Sequence, residues 1–430
     1  MTMKIKSWFT VIFFLGTACF IFAQENENAY VLNVDKAVAL ALENNVSVER
    51  SVISLKNAET AKKYGWNSAA PSLKGGVSSS IPLNSISDTS VDLSVTLSLN
   101  LTANLFSQIK NTKNAWEQSE ISFRQAVRNV EKSVRQAFYA LIYEKENILL
   151  QEENLKNAKT QYENNLVKYS NGRLSEIDAI SAEVSYKQKI PLVEQARTTF
   201  QNDLDSFKQV LGLKIQDKVE LEGSLGDILF LGEITLEGMD FNSDEVKLLE
   251  KKLEGAEISV LDGKFSAYAP SISSSVKWND KIYSDGLKNS SSFSASVSAS
   301  IPLDGVFPWS SQNIAVKKAK NSVNDLQLQL SDAKKDFLRE IQSSLRSIRQ
   351  IQESIKYSQA NIALAEKTFL MTQEAYSRGT KDLLTLQNAG TTLLNAQVTL
   401  NSNILSLGKT ILELENSIGC DFCSLTKEKK

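Results

Sequence analysis

The 430-residue sequence contains no histidine, only three cysteines and only six prolines. Without imidazole, zinc sites with a histidine ligand and catalytic triads with a histidine base are excluded. The remaining residues show no phosphate-binding glycine loop and no nucleophile paired with a base. We therefore predict that the protein is not an enzyme and uses no cofactor.

A strong excess of charge of one sign is also missing. The chain has 48 basic and 50 acidic residues, which gives a net charge of -2. Nucleic-acid-binding domains are usually strongly basic, and the short Lys-Glu-Lys-Lys tail does not change this balance. The composition therefore argues against nucleic acid as the main partner.

Long apolar runs are scarce, and the one at the N-terminus has the features of a signal. Lys4 and Lys6 precede the run WFTVIFFLGTACFIF, and Ala23 follows it. At about fifteen residues this run is short for a membrane-spanning helix. We predict a signal peptide at 1–23, with lipidation of Cys19 as the alternative to cleavage after Ala23.

A seven-residue apolar period organises much of the remaining chain. From Val127 to Tyr169 an apolar or aromatic residue recurs at every seventh position. The same period returns 207 residues later and runs from Ile341 to Tyr376. A sustained seven-residue period is typical of helices that wind around their neighbours in a coiled coil.

A glycine follows each of these predicted long helices. Gly172 and Gly379 stand three residues after the last tyrosines, and glycine readily adopts the left-handed conformation that ends a helix. Each copy is therefore predicted to be a long helix, at 108–170 or 312–377, that turns at its glycine into a return helix. Pro191 is expected to kink the first return helix or to mark an irregular turn.

Two tandem repeats follow from these patterns, each starting with a short helix, at 34–63 or about 243–265. The predicted organisation is a signal peptide (1–23), repeat one (31–212, with a β-hairpin at 71–103), a connector (213–241), repeat two (242–418, with a β-hairpin at 270–303) and a C-terminal tail (419–430).

The predicted hairpins alternate apolar and polar residues almost without error. In VDLSVTLSLNL (91–101) the apolar residues share one face, and in SFSASVSASI (292–301) the opposite face is entirely serine. Strands of ten to twelve residues match the length that crosses an outer membrane at a tilt. Small, uncharged serines suit a wet lumen better than a solvated sheet surface.

Four strands cannot close a barrel, because the smallest membrane barrels have about eight. An open edge is prohibitive in lipid, so several chains must share one barrel. The alternative is that the hairpins pack on the soluble helices and the coiled coil is a structural rod. The protein would then be an envelope coiled-coil structural protein or adhesin without a pore.

The C-terminal segment GCDFC contains Cys420 and Cys423. In an exported protein this spacing predicts a small local disulfide that holds the tail. A redox pair and half of a zinc site are the alternatives, although no second pair is present to complete tetrahedral coordination.

The order of these features resembles the TolC-type outer membrane efflux protein family from about residue 31 to 420. The resemblance rests on LNVDKAVALALENN, the strand entries APSL and APSI, the two Tyr-x-x-Gly breaks and the tandem halves. It implies a membrane α+β fold in which a homotrimer forms one transmembrane β-barrel, with four strands per protomer. A long coiled-coil α-helical barrel continues it into the periplasm.

The resemblance also implies a function and partners. The protein would be the outer membrane exit duct of a tripartite efflux or type I secretion system that conducts drugs, toxins or proteins passively. Its partners would be the lipid bilayer, a periplasmic adaptor protein and an inner-membrane transporter. The cargo and the particular pump are not specified by the sequence.

In this family the glycine turns lie at the periplasmic tip, and the residues beyond them form the closing aperture. The aperture candidates are Arg173, Glu176, Asp178, Arg378, Lys381, Asp382, Thr385 and Asn388. Well-studied members have aspartates where this chain has Thr385 and Asn388, so the resemblance does not extend to a doubled acidic gate. We hypothesise that Lys381 or Arg378 pairs across helices with an acidic residue of the first tip, Glu176 or Asp178. The alternative is that these are solvated charges at helix ends.

Overall fold

The computed structural model describes residues 30–81, 89–234, 243–283 and 290–426. The predicted signal peptide with Cys19, the end of the predicted connector and the last four residues lie outside these ranges. In chain order the elements are β1 (Tyr30–Leu32), α1 (Val34–Asn44), α2 (Val46–Lys63), β2 (Ser72–Ser80), β3 (Ser90–Thr102), α3 (Asn104–Ser170), α4 (Glu176–Val210), β4 (Val219–Leu221), α5 (Asp244–Tyr268), β5 (Ser271–Tyr283), β6 (Ser290–Ser300), α6 (Ser311–Ser377) and α7 (Leu383–Ile418).

The two longest helices, α3 and α6, each contain 67 residues. At 1.5 Å per residue each is about 100 Å long. They begin 207 positions apart (104 and 311) and end 207 positions apart (170 and 377). Each turns back into a shorter antiparallel partner, so α3 with α4 and α6 with α7 form two helical hairpins that pack side by side.

Two features of the helices differ from the sequence-based expectation. The helix predicted at 34–63 is two helices, because Asn45 adopts an extended conformation and its side chain accepts a hydrogen bond from Ser47 N at 2.9 Å. No irregular turn interrupts α4, which is one continuous helix across Pro191. Pro191 is exposed, so water can reach the carbonyl that loses its donor there.

The four strands of the hairpins form a single antiparallel sheet in the order β2-β3-β5-β6. The central pair, β3 and β5, joins the two β-hairpins along 13 residue pairs, from Ser90↔Tyr283 to Thr102↔Ser271. A separate parallel pair, β1 with β4, ties the start of the described chain to the connector.

The main hydrophobic core lies where both helical hairpins meet α1 and the C-terminal tail. It contains several positions of the seven-residue period, namely Val134, Leu141, Ile341, Ile348 and Ile355, all buried. Leu211, Leu407 and Ile418 complete it from the return helices and their ends. Among the described residues no helix combines the length and the hydrophobicity that crossing a membrane requires.

Candidate functional site

The four-stranded sheet has a mainly apolar face and a polar face. The mainly apolar face also carries Asp280, which lies opposite Leu93 and accepts a hydrogen bond from Ser291 at 2.7 Å. The pairing Leu73↔Leu97↔Val276↔Ala295 places apolar or small residues in one row across four strands. Because side chains alternate between faces, the neighbouring residues form equally continuous polar rows. On the edge strands the apolar side chains are strongly exposed, with Val77 at 74% and Val297 at 78%.

The polar face is lined mainly by serine hydroxyls that bond to each other across strands. The pairs Ser271–Ser300, Ser273–Ser298 and Ser275–Ser296 have Oγ–Oγ distances of 2.8, 2.6 and 2.9 Å. A fourth pair, Ser72–Ser98, lies at 2.7 Å on the other hairpin. This ladder keeps the surface polar and small without filling the space above it.

Exposed aromatic side chains cluster at the end of the sheet that adjoins the helices. They are Trp66, Phe106, Tyr268, Phe307 and Trp309. Aromatic residues are enriched where a membrane barrel meets the aqueous interface, because their rings are apolar and their polar groups can remain hydrated. Phe307 and Trp309 stack with ring centroids 5.3 Å apart.

The opposite end of the molecule is formed by two similar glycine turns. Gly172 and Gly379 have φ values of +67° and +77°, in the left-handed region that glycine tolerates. In each turn the residue after the glycine donates its N–H back into the helix, from Arg173 to Lys168 O at 2.8 Å and from Thr380 to Ala375 O at 2.9 Å. This bonding pattern ends α3 and α6 abruptly and reverses the chain.

A family model of outer membrane efflux proteins matches residues 265–419. This stretch contains the strands β5 and β6 and the helical hairpin of α6 and α7. Over these residues the chain is similar to the outer membrane efflux protein family.

Solved structures of outer membrane channels share the fold of nearly the whole chain. The Campylobacter jejuni CmeC outer membrane channel has a TM-score of 0.72 at 19% identity, covering 90% of this chain and 85% of its own. CusC, solved in work on folding and transmembrane channel formation, has a TM-score of 0.76 at 15% identity, covering 91% and 94%. The open state of the Neisseria gonorrhoeae MtrE outer membrane channel has a TM-score of 0.67 at 14% identity, covering 92% and 90%. No curated protein matches this sequence.

Three aperture candidates, Asp178, Asp382 and Thr385, take part in the N-terminal capping of α4 and α7. Ser175 accepts a hydrogen bond from Asp178 N at 3.2 Å, and its hydroxyl lies 2.6 Å from the Asp178 carboxylate. Asp382 accepts a hydrogen bond from Thr385 N at 2.9 Å and another from the Thr385 hydroxyl. These bonds hold the pKa of Asp382 below its usual range. The spacings Ser175-x-x-Asp178 and Asp382-x-x-Thr385 are capping patterns, and this signal was available in the sequence.

The cross-helix pairing hypothesised for the basic tip residues is not present within one chain. Arg378 forms an ion pair with Glu374, four residues earlier on its own helix. Arg173, Glu176 and Lys381 are exposed, and none of them forms an ion pair with another described residue. An i,i+4 partner is always within reach of Arg378, whereas Glu176 and Asp178 belong to a different hairpin.

Asn388 lies on a cleft between the two hairpins, above the tip. The cleft has a volume of about 370 Å³ and is lined by amide and apolar side chains in similar numbers; the amides are Asn154, Asn157, Gln161, Gln188, Gln373, Gln387, Asn388 and Gln397. Asn388 therefore lines the cleft between the two helical hairpins.

Sequence reasoning missed the contact that joins the two hairpins near the tip. The Tyr376 hydroxyl donates to Asn165 Oδ1 at 2.9 Å, although the two residues are 211 positions apart. Gln161 Nε2 donates to the same oxygen at 2.9 Å, and Asn165 is fully buried. Tyr376 also packs in a small second core with Ala182, Leu383 and Leu386. No sequence signal pairs Asn165 with Tyr376, because the contact depends on the lateral packing of α3 and α6.

Cys420 and Cys423 do not form a disulfide with each other in the structure. Arg135 Nη1 lies 3.8 Å from Cys423 Sγ, which places a positive charge beside that thiol. The disulfide between them stays a prediction.

Two carboxyl groups, Glu144 of α3 and Asp203 of α4, lie next to each other. Burial of Glu144, its hydrogen bond with Asp203 and the negative charge of Asp203 together raise the pKa of Glu144 to about 7. The positive charge of Lys409 on α7 lowers the pKa of Glu144. One Glu144 oxygen is buried without a donor, as expected for a carboxyl group that prefers to be protonated.

We predict that E144Q removes a pH-dependent loss of stability. A carboxyl group whose pKa rises on folding from 4.5 to about 7 binds more protons in the folded state, so stability falls as pH rises through that range. E144Q should therefore raise the free energy of unfolding at pH 8 by about 1 kcal/mol, discounted for partial exposure, with little change at pH 5. Thermal unfolding of the detergent-purified protein at both pH values measures this. E153Q, at an exposed glutamate of the same helix, is the control, and identical pH profiles for E144Q and wild type would contradict the assignment.

Proposed function

We propose that this protein is the outer membrane exit duct of a tripartite efflux or type I secretion system. In this proposal three copies share one twelve-stranded transmembrane barrel, and their helices extend it into the periplasm. The observation that carries the proposal is a four-stranded sheet with a mainly apolar and a polar face, whose two edge strands have no partner among the described strands.

An unpaired edge is the physical reason for several copies. Within the part of the chain that the structure describes, the edge strands β2 and β6 each leave a row of backbone N–H and C=O groups without a strand partner. In lipid each such group would cost several kcal/mol, so the sheet must close. All neighbouring strands are antiparallel, so β6 of one copy can pair with β2 of the next in the same alternating pattern.

The long helices also present apolar residues that one chain does not cover. On α6 Tyr357, Leu364 and Met371 are 74%, 66% and 62% exposed and are spaced by seven residues. On α4 Ile177, Ile180 and Val184 are similarly exposed. A second seven-residue stripe supports packing against helices of neighbouring copies, which continues the barrel below the membrane.

Passive conduction follows from this architecture. The duct would receive drugs, toxins or proteins from a periplasmic adaptor and an inner-membrane transporter that dock at the helical end. The glycine turns would form the closable tip, and opening would require the two hairpins of each chain to move apart. The fold shared with the open-state MtrE channel supports a tip that can open.

The rival function is an envelope coiled-coil protein without a pore, whose hairpins pack on its own helices. The strong exposure of Val77 and Val297 on the apolar face argues against it, because hairpins packed on helices would bury that face. The resulting apolar surface needs lipid around it.

A pair of arginine substitutions on neighbouring residues of β6 tests the proposal. Val297 points to the apolar face and Ser296 to the polar face. V297R should abolish insertion and trimer formation, because an arginine facing lipid three residues from the end of β6 costs about 1–3 kcal/mol in each copy. S296R should leave both intact. Heat-modifiable migration in detergent gels, oligomer mass and planar-bilayer conductance are the measurements.

The opposite result decides for the rival. A wild-type protein that is a monomer without conductance would contradict the proposed duct. Disruption of assembly by S296R but not by V297R would show that the polar face does not line a lumen, and it would contradict the duct as well.

A further inference from the structure

We propose that Lys74 and Lys277 form a ring of positive charge inside the shared β-barrel and make this part of the duct selective for anions. The inference rests on the proposed function, because it requires the polar face to line a water-filled lumen. The ligands it would favour are small anions and cargo that carries carboxylate, phosphate or sulfate groups.

The two lysines occupy the same row of the sheet. Lys74 pairs with Thr96, Thr96 pairs with Lys277, and Lys277 pairs with Ser294. With strands about 4.8 Å apart, the two lysines flank Thr96 at a backbone separation of about 10 Å. Both side chains are exposed on the polar face, between rows of serine.

This row lies in the middle of the predicted membrane span. Lys277 is the seventh of the 13 residues of β5, so about six residues separate it from either strand end. A lysine at this depth is costly on the lipid side and tolerated on the lumen side. The position of the lysines therefore agrees with a polar face that is directed inward.

The charge of the row is not compensated by acidic residues. Among the described residues neither lysine has an ion-pair partner. The polar face carries two other charged residues, Asp92 and Lys281, and these are direct cross-strand partners in a different row. One row of the polar face separates the lysine row from the row of Asp92 and Lys281, and the remaining described rows lie between the lysine row and the helices. All of these rows contain only Gly, Ser, Thr and Asn, which carry no charge.

Threefold repetition turns this row into a ring. Three copies would place six ammonium groups at one level of the barrel. Twelve strands at about 4.8 Å spacing and a tilt of about 40° give a backbone radius of roughly 12 Å. A lysine side chain extends about half of that distance, so its charge lies within the screening length of about 10 Å at 0.1 M salt from the axis. Ions on the axis would therefore experience the field of the ring.

The permeability ratio of chloride to potassium in planar bilayers measures the proposed selectivity. Wild-type protein should favour chloride across the barrel more than K74Q/K277Q, in which the ratio should fall about two- to tenfold. The charge-preserving K74R/K277R variant should keep the wild-type ratio, and K74E/K277E should fall below K74Q/K277Q. The matched steric control is T96Q, which adds an uncharged side chain to the same row and should not change the ratio.

Salt dependence separates an electrostatic effect from a steric one. The difference between wild type and K74Q/K277Q should shrink at 1 M salt, where the screening length is about 3 Å. All variants share the same helical tip, so selectivity that arises there cancels in the comparison.

Equal permeability ratios for wild type, K74Q/K277Q and K74E/K277E at 0.1 M salt would overturn the lysine ring and leave the duct intact. Absence of conductance in wild type and all variants, despite membrane insertion, would instead contradict both the proposed duct and the proposed lysine ring. The two failures are therefore distinguishable.

Discussion

Replacing Tyr376 with alanine is expected to raise the time-averaged conductance of the channel at least about tenfold, because the open state becomes more populated. The substitution removes the hydroxyl that bonds to Asn165 and the ring that packs between the two hairpins. Loss of a buried aromatic side chain costs about 3–5 kcal/mol, and 1.4 kcal/mol already changes an open-to-closed ratio tenfold. In the proposed trimer the contact occurs three times, so the tip should open. Planar-bilayer recordings of the purified protein measure the effect.

Tyr169 provides a control with the same chemistry. It stands 207 positions before Tyr376 at the end of α3, but it is exposed and no hydrogen bond joins its side chain to another described residue. Y169A should leave conductance near the wild-type value. Y376F isolates the hydrogen bond and should have a smaller effect, corresponding to about 1 kcal/mol.

The charge-based hypothesis makes a different prediction for the same recordings. If Arg378 and Lys381 hold the tip shut through contacts with neighbouring copies, R378Q/K381Q should also increase conductance. The single chain shows Arg378 paired with its own helix, and exposed pairs contribute only about 0–1 kcal/mol each. A conductance in Y376A equal to that of Y169A, together with a large increase in R378Q/K381Q, would assign closure to the charges and contradict the tyrosine contact.

Replacing Glu415 with alanine is expected to release the C-terminal tail and destabilise the core by about 2–4 kcal/mol. Glu415 is fully buried, and its two carboxylate oxygens accept hydrogen bonds from Cys423 N and Leu425 N at 2.9 and 3.0 Å. Alanine would leave both backbone donors without a partner, and each costs about 1–3 kcal/mol when buried. Thermal unfolding measures the loss, and limited proteolysis reports release of the tail.

The surroundings of the tail explain why this effect should be large. Phe422 is buried and lies near two guanidinium groups, with Arg128 and Arg135 at 5.4 and 6.0 Å from its ring centroid. Arg128 also donates to Cys420 O at 2.6 Å. Releasing the tail would therefore expose Phe422 and Leu425 and remove one of the two carbonyl acceptors of the half-buried Arg128, which also donates to Glu415 O at 2.9 Å.

Glu413, two residues earlier on α7, is exposed and provides the matched control. E413A should unfold within about 0.5 kcal/mol of wild type. A wild-type unfolding temperature and an equally protected tail in E415A would show that the two hydrogen bonds do not hold the tail.

Several features could be predicted from the sequence because they depend on local physics. The seven-residue period from Val134 to Tyr162 reflects one continuous helix, and glycine three residues after a tyrosine marks its end. Alternation in the hairpins predicts two faces, since side chains of a strand point to opposite sides. The capping roles of Asp178 and Asp382 could also be predicted from the sequence, because the residues of a helix cap lie within three positions of each other.

The sequence by itself determined the lengths of the helices, the reversals at Gly172 and Gly379 and the two chemically different faces of the sheet. Each depends on residues that are close together in the chain. Only the tertiary structure decided that Tyr376 bonds to Asn165, that Lys74 and Lys277 share a row, and that Glu415 holds the tail. These contacts join residues on different helices, strands or the tail. They form only when packing and strand register bring those segments together, which no local periodicity encodes.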